Sequence, residues 1–296
     1  MLNKKKFFHP VSALMAGAFI ISFSSVLVKT SNVPSSVSAF YRVFFGSVFL
    51  VFACMVKKEF KKKNLKKNLL ALLCGLFFAL DLWAWHWSIQ YIGPGLATIL
   101  GNFQVFVLSI VGFLAFKEKI RLRFILSIPL AFSGLFLIIG MDIDNLSRNY
   151  MTGIILGIAT AGFYSMFLLL LRQLQSYKQD FSLFYYLMLV SVICSFFLGG
   201  KIYAVNESFA IPDMTTLLSL ICLGFFMQFC AWVMISNALP KVKASHAGLI
   251  LLLQPALSFI WDVVFFNRQT GIEGWVGVMI VLTAIYLGMT TKEKPS

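Results

Sequence analysis

Between residues 10 and 290 the chain is a series of apolar runs, most close to twenty residues long, separated by short polar links. A helix of about 20 apolar residues crosses the hydrocarbon core of a bilayer. Inside that core an unpaired backbone N–H or C=O finds no water, so only helices and closed barrels can span it. The runs are continuous rather than alternating, which disfavours the barrel pattern. The composition agrees: 59% of the residues are hydrophobic and 12% charged, where a soluble domain carries about 25% charged. Mean hydropathy is +0.87. The fold class read from this is an all-α integral membrane protein.

Ten transmembrane helices fit, at roughly 10–28, 37–56, 69–90, 95–116, 121–140, 151–171, 182–200, 214–237, 244–266 and 271–290. The links are short, so consecutive helices are antiparallel neighbours. Lys4, Lys5 and Lys6 before the first run resemble the start of a signal peptide. That run continues to Val28 without a clear small-x-small cleavage site and reads as a retained span. With the N-terminus inside, twenty Lys and Arg fall on the inner side. Lys29, Arg148, Lys201 and Arg268 fall outside, and Arg42 lies within a span. The positive-inside rule then puts both termini in the cytoplasm. The net charge of +14 therefore reads as topology rather than as nucleic-acid binding. The lysine run over 57–67 is a solvated loop within reach of anionic headgroups.

The five cysteines, Cys54, Cys74, Cys194, Cys222 and Cys230, all fall inside predicted spans. None has a CxxC or Cys/His metal spacing, so they read as small packing residues. No metal or cofactor is expected.

Ten spans divide into two sets of five, 10–140 and 151–290, with traces of a repeat. Gly17 through Ser25 parallels Gly157 through Ser165. Phe77, Phe78 and Ser88 parallel Phe225, Phe226 and Ser236, and Ala97 with Gln104 parallels Ala247 with Gln254. Five is odd, so a duplicated five-helix unit inserts its second copy upside down. Inverted repeats of this kind build transporters, with the site near the midplane between the halves.

Three stretches resemble the drug/metabolite transporter superfamily, in its ten-helix EamA-type branch. The second span opens with Pro34 and Ala39-Phe40-Tyr41-Arg42-Val43-Phe44. The fourth carries Leu96-Ala97-Thr98, Gln104 and a terminal Phe116-Lys117-Glu118-Lys119. The ninth carries Ala247, Gln254-Pro255 and Phe266-Asn267-Arg268. The resemblance covers nearly the whole chain and implies a permease of two inverted repeats. Two departures stand out. Val105 stands where the family often has proline, so a mid-membrane kink is expected only at Pro255. Arg268 stands where the first half has Glu118.

The candidate site is a polar seam within these spans. An intramembrane carboxylate is costly and marks a functional position by default. Asp81, Trp85 and Ser88 share one face of the third span, with Asp81 a candidate proton or cation group. Arg42 either pairs with Asp81, binds a substrate carboxylate through its planar fork, or snorkels to the interface. His86, near the outer end of the third span, is a second candidate for proton coupling, or a packing histidine. Trp85 offers a face for a planar or cationic substrate. Asn102, Gln104 and Gln254 either glue helices or bind ligand. Gln254, Ser258 and Trp261 form a stripe on the ninth span, and Gln228 with Trp232 one on the eighth. Tyr164 occupies the repeat position of Ser24. Asp262, near the outer end of the ninth span, is a candidate for an outer gate.

There is no phosphate-binding loop, so any active transport draws on an ion or substrate gradient. No catalytic residues are expected. The reading is a secondary transporter in the inner (plasma) membrane. It moves a small polar metabolite, an amino acid or a related compound, by alternating access, with possible proton coupling. The outward direction rests on the resemblance alone. The alternative is an importer or exchanger of a nucleoside-like or other aromatic metabolite. A lipid-handling protein or an intramembrane enzyme ranks behind both, since no catalytic set converges at one depth. Expected partners are a small-molecule substrate, membrane lipids and protons.

Overall fold

A computed structural model describes residues 9–60, 64–139, 150–176 and 182–289. The charges counted at Lys4–Lys6, Lys61–Lys63, Arg148, Lys178, Lys292 and Lys294 lie outside the described residues. Nine helical segments among the described residues are long and apolar enough to cross a membrane. They are Pro10–Thr30, Ser35–Val56, Leu65–Ile92, Leu96–Leu114, Tyr150–Ser176, Leu183–Ala204, Met214–Lys241, Ala244–Phe266 and Ile272–Met289. A shorter apolar helix, Leu122–Ile139, is the fifth span. The third and fourth spans share one helical run, Leu65–Gly101. The chain nevertheless reverses within it: a Cβ placed on Gly157 would sit 3.1 Å from Ser88 Oγ and 2.9 Å from Leu100 Cβ. Twelve residues of straight helix would hold those two about 18 Å apart.

The helix pairings obey a two-fold rule that maps each span onto the one five places later. The third span packs on the sixth, and the eighth on the first. The third packs on the seventh, and the eighth on the second; the fourth on the sixth, and the ninth on the first. Three pairs map onto themselves: second with seventh, fourth with ninth, fifth with tenth. The fifth–tenth crossing shows the reciprocity. A Cβ on Gly134 would meet the Gly277 carbonyl oxygen at 2.6 Å, and one on Gly277 would meet that of Gly134 at 2.6 Å. In lipid, where hydrophobic burial drives little helix association, such close backbone approach holds helices together.

Helix ends repeat as well. Four non-glycine residues have positive φ among the described residues: Lys58 (53°), Lys117 (52°), Asn206 (54°) and Asn267 (49°). Each closes a span in the left-handed C-terminal turn. The next residue donates its N–H back into the helix: Glu59 to Cys54 and Glu207 to Ile202 in one related pair, Glu118 to Gly112 and Arg268 to Asp262 in the other. Three of these four next residues are glutamates, and each reaches the start of the partner span. Glu59 accepts from the Ser182 hydroxyl (2.7 Å) and the N–H groups of Phe184 (3.1 Å) and Tyr185 (3.0 Å). Glu207 accepts from the Ser36 hydroxyl. Glu118 accepts from the N–H groups of Ala244 (2.6 Å) and Ser245 (3.2 Å) and from the Ser245 hydroxyl (2.6 Å). A carboxylate there satisfies orphan donors and meets the positive end of the helix dipole. Arg268 replaces the fourth glutamate. It bonds the Ile138 carbonyl (3.3 Å) and lies 3.8 Å from Asp262.

Two expectations are corrected. The fourth span, which has Val105 in place of proline, still breaks, at Asn102–Phe103, where the ninth breaks at Leu252. At Leu252 the cause is Pro255, whose ring and missing N–H disrupt the preceding turn. In the fourth span the Asn102 amide donates to the Thr98 carbonyl at 2.8 Å, and such back-bonding competes with the helix. The sixth span ends later than the expected 171, running to Ser176 and burying Leu174 and Gln175. Arg172 does not end it, because its guanidinium bonds the Val242 carbonyl and stacks 4.8 Å from the Phe116 ring centroid.

The crossing glycines give a stability test. Gly134→Ala should cost about 1–3 kcal/mol through forced backbone separation, read as a melting temperature several degrees lower in detergent. Gly162→Ala, where a Cβ meets nothing within 4 Å, should instead be neutral or stabilise by up to about 1 kcal/mol.

Candidate functional site

The deepest polar cluster joins five spans. Arg42 from the second and Asp81 from the third face one another electrostatically. Tyr164 of the sixth span lies beside both and next to Gln254 of the ninth. Cys194 of the seventh span completes the group, within electrostatic reach of Asp81 and Arg42. Asp81 is 7% exposed. No ion pair within 4.0 Å joins Arg42 to Asp81, and none of the hydrogen bonds among the described residues ends on either group. The Arg42 Nε and the Gln254 Nε2 are buried without a partner. A half-buried arginine and a buried aspartate thus lie within electrostatic reach of one another and leave each other unbridged.

Other candidates surround this centre at different distances. Trp85 is half-buried, against Gly101 at the break of the fourth span. Asn102 is half-buried and bonds its own helix. Ser258 is half-buried one turn beyond Gln254. Trp261 donates its Nε1–H to the Ser22 hydroxyl (2.8 Å) and stacks on Phe23, with ring centroids 4.2 Å apart. Phe23 is where the first span breaks, so Trp261 pins that break to the outer half of the ninth span. His86 lies apart from the cluster, bonded to the Leu82 carbonyl (2.6 Å) and next to the Ser35 backbone, Lys201 and Glu207 at the outer helix ends. Gln104 is buried with its carbonyl oxygen unbonded.

Gln228 and Trp232 lie in packing. Gln228 donates to the Ser191 hydroxyl at 2.9 Å, and its side chain fills the place of a Cβ at Gly46. Trp232 is 2% exposed among the rings of Phe78 and Phe167. Gln228 sits in a π-helical stretch, Leu223–Ala231, a distortion that often accompanies functional sites.

The two ends of the seam differ. On the lysine-rich inner side, seven of the eight residues of Ala244–Leu251 are buried, and Glu118 holds that helix start. On the outer side Gln254, Ser258, Trp261 and Asp262 are all half-buried. There Asp262 accepts from Lys29 at 2.7 Å, and the Lys29 ammonium also lies 4.9 Å from the Phe266 ring centroid. Outside the spans, Asp213 begins the eighth: the Thr216 N–H and the Asn32 amide hold its carboxyl below the usual aspartate range.

Sequence reasoning missed Ser22, Phe23, Cys194 and the three capping glutamates as participants. A lone serine, phenylalanine or cysteine in an apolar run gives no periodic signal. The glutamates lie in loops, and their partners emerge only once the helices are paired. No group of three or more His, Cys, Asp or Glu side chains suited to a metal occurs among the described residues.

Set beside known proteins, the chain matches the EamA-like transporter family twice, over residues 10–140 and 151–290. It is 21% identical over 279 residues to the uncharacterized transporter YxxF of Bacillus subtilis (strain 168), covering 89% of this chain and 84% of that one. It is 28% identical over 72 residues to the permease-like protein YdzE of the same organism, covering 24% of this chain and 92% of that one. One solved crystal structure superposes with a TM-score of 0.77 at 14% identity, covering 94% of this chain and 98% of that one. At that identity the likeness speaks for the fold alone.

The contact made by Glu118 can be removed deliberately. Glu118→Ala strips one N–H of Ala244, one of Ser245 and the Ser245 hydroxyl of their acceptor. It should cost at least about 2 kcal/mol and speed hydrogen exchange at the Ala244 and Ser245 amides. Glu273→Ala, at an exposed acid, should change neither.

Proposed function

The chain belongs to the EamA-like transporter family, and on that premise we propose that it carries a small zwitterionic metabolite of the amino-acid kind outward across the inner (plasma) membrane. The observation that carries this reading is the unbridged pair, Arg42 and Asp81. Burying a charge without a partner costs several kcal/mol. A substrate bearing both a carboxylate and an ammonium relieves both groups at once. The Arg42 fork takes the carboxylate, and Asp81 takes the ammonium. Tyr164 and Gln254 supply neutral hydrogen bonds to the body of the substrate, and Trp85 an aromatic wall.

This arrangement also supports coupling to protons. A proton and the substrate ammonium compete for one carboxylate. When Asp81 takes a proton from outside, the ammonium loses its counter-charge and the substrate leaves; when the proton departs inward, the site is ready again. Competition of this kind gives exchange, and an inward proton gradient then drives substrate out. Alternating access is provided by the broken helices. The inner halves of the fourth and ninth spans are locked by Glu118, while their outer ends lack the matching glutamate. We read the structure as the form in which the site faces outward.

The test is counterflow and pH-driven transport in proteoliposomes. The vesicles are preloaded with unlabelled amino acids, and labelled amino acids are offered outside. Wild type should accumulate at least one above empty liposomes. Asp81→Asn should abolish dependence on the pH gradient; unchanged coupling would remove Asp81 from the mechanism. Arg42→Lys, which loses the planar fork, should raise KM tenfold or more, equivalent to about 1.4 kcal/mol. Competition by nucleosides but not by amino acids would move the reading to an aromatic substrate stacked on Trp85.

A further inference from the structure

One feature outside the seam has the makings of a ligand site. On the lipid-facing surface, a groove of about 630 Å³ lies between the second, seventh and eighth spans. Its walls include Phe49, Phe52, Phe184, Phe225 and Phe229, and Lys57 stands at its inner end. It extends from Val48 to Lys57 along the second span, about 14 Å at the helical rise. It therefore descends from the cytoplasmic headgroup level well into the hydrocarbon. Phe225 and Phe229 belong to the π-helical stretch and stand one turn apart on the groove, with ring centroids 5.7 Å apart.

The mouth of the groove carries unbalanced positive charge. Lys57 and Lys58 are exposed, and no salt bridge among the described residues includes them. Glu59, the acid next in sequence, is committed to the start of the seventh span through three hydrogen bonds. The sequence continues with Lys61, Lys62 and Lys63. An occupant that fits is apolar and chain-like over most of its length and anionic at its inner end. Such an occupant is an anionic phospholipid of the cytoplasmic leaflet, since each basic residue near that surface contributes about 1 kcal/mol toward anionic lipid. We propose that this groove is a binding site for an anionic phospholipid, with one acyl chain against the phenylalanines and the phosphate on Lys57 and Lys58. The inference is independent of the transport reading. It has a bearing on it, because the residues opposite the groove face, Gln228 and Gly224, pack against Gly46 of the second span.

The experiment is native mass spectrometry of delipidated protein titrated with phosphatidylglycerol or with phosphatidylcholine of the same chains. Wild type should retain one phosphatidylglycerol at least tenfold more tightly than phosphatidylcholine. The double change Lys57→Gln with Lys58→Gln, outside the spans, should abolish that preference while leaving weak binding of both lipids. Ala53→Trp, which fills the groove, should reduce binding of both. Ile110→Trp, on an exposed apolar face of the fourth span, should change nothing. Equal retention of the two lipids by wild type would overturn the proposal. So would undiminished phosphatidylglycerol preference in the lysine variant, or undiminished binding in Ala53→Trp.

Discussion

A helix that starts at the edge of a hydrocarbon slab exposes N–H groups that must find an acceptor, and here that acceptor comes from a neighbouring helix. Glu59, Glu207 and Glu118 each follow a left-handed turn and each reach the start of the span paired with their own. The arrangement fastens the second span to the seventh at both ends and the fourth to the ninth at one. Since these are pairs that the two-fold maps onto themselves, the same device fixes the relation between the halves. Hydrogen bonds to a charged acceptor are the stronger kind, and where water is scarce the unpaired alternative is costly.

The missing fourth member gives the molecule a direction. Two-fold symmetry alone would make the inner and outer ends of the fourth and ninth spans equivalent. Glu118 closes the inner end, whereas Arg268 reaches the fifth span and Asp262 instead of a helix start. The helix irregularities are distributed unevenly too. The fourth and ninth spans break at related places, but the first breaks at Phe23 while the sixth is continuous, and the π-helical stretch of the eighth has no counterpart in the third. The distorted helices are neighbours, since the first span packs along the eighth. A symmetric frame thus carries asymmetric joints.

The helical class and the pairing of halves were legible because they follow from length, hydropathy and a few repeated residues, and a bilayer leaves no other option for an apolar run. Asp81 and Arg42 were legible as misfits, since a charge in such a run has to be accounted for. The role of Val105 was misread: a proline is a sufficient cause of a kink but not a necessary one, and Asn102 supplies another. Gln228 and Trp232 share a helix face as the spacing implied, yet spacing cannot say what that face meets. It meets Ser191, Gly46 and a ring cluster. Cys194 was invisible for the same reason, its neighbours lying more than a hundred residues away in sequence.

The contrast between the halves sharpens the meaning of the central charges. The second and third spans bring Arg42 and Asp81 together. Their counterparts, the seventh and eighth, bring together Ser191 and Gln228, which are neutral and joined by a direct hydrogen bond. A neutral amide–hydroxyl pair is the ordinary way to hold two helices in a membrane. If the charged pair served only to hold helices, it would be a worse version of its counterpart, costlier to bury and left unbonded. On the proposed reading, the bond between Arg42 and Asp81 is completed by the cargo, which comes and goes.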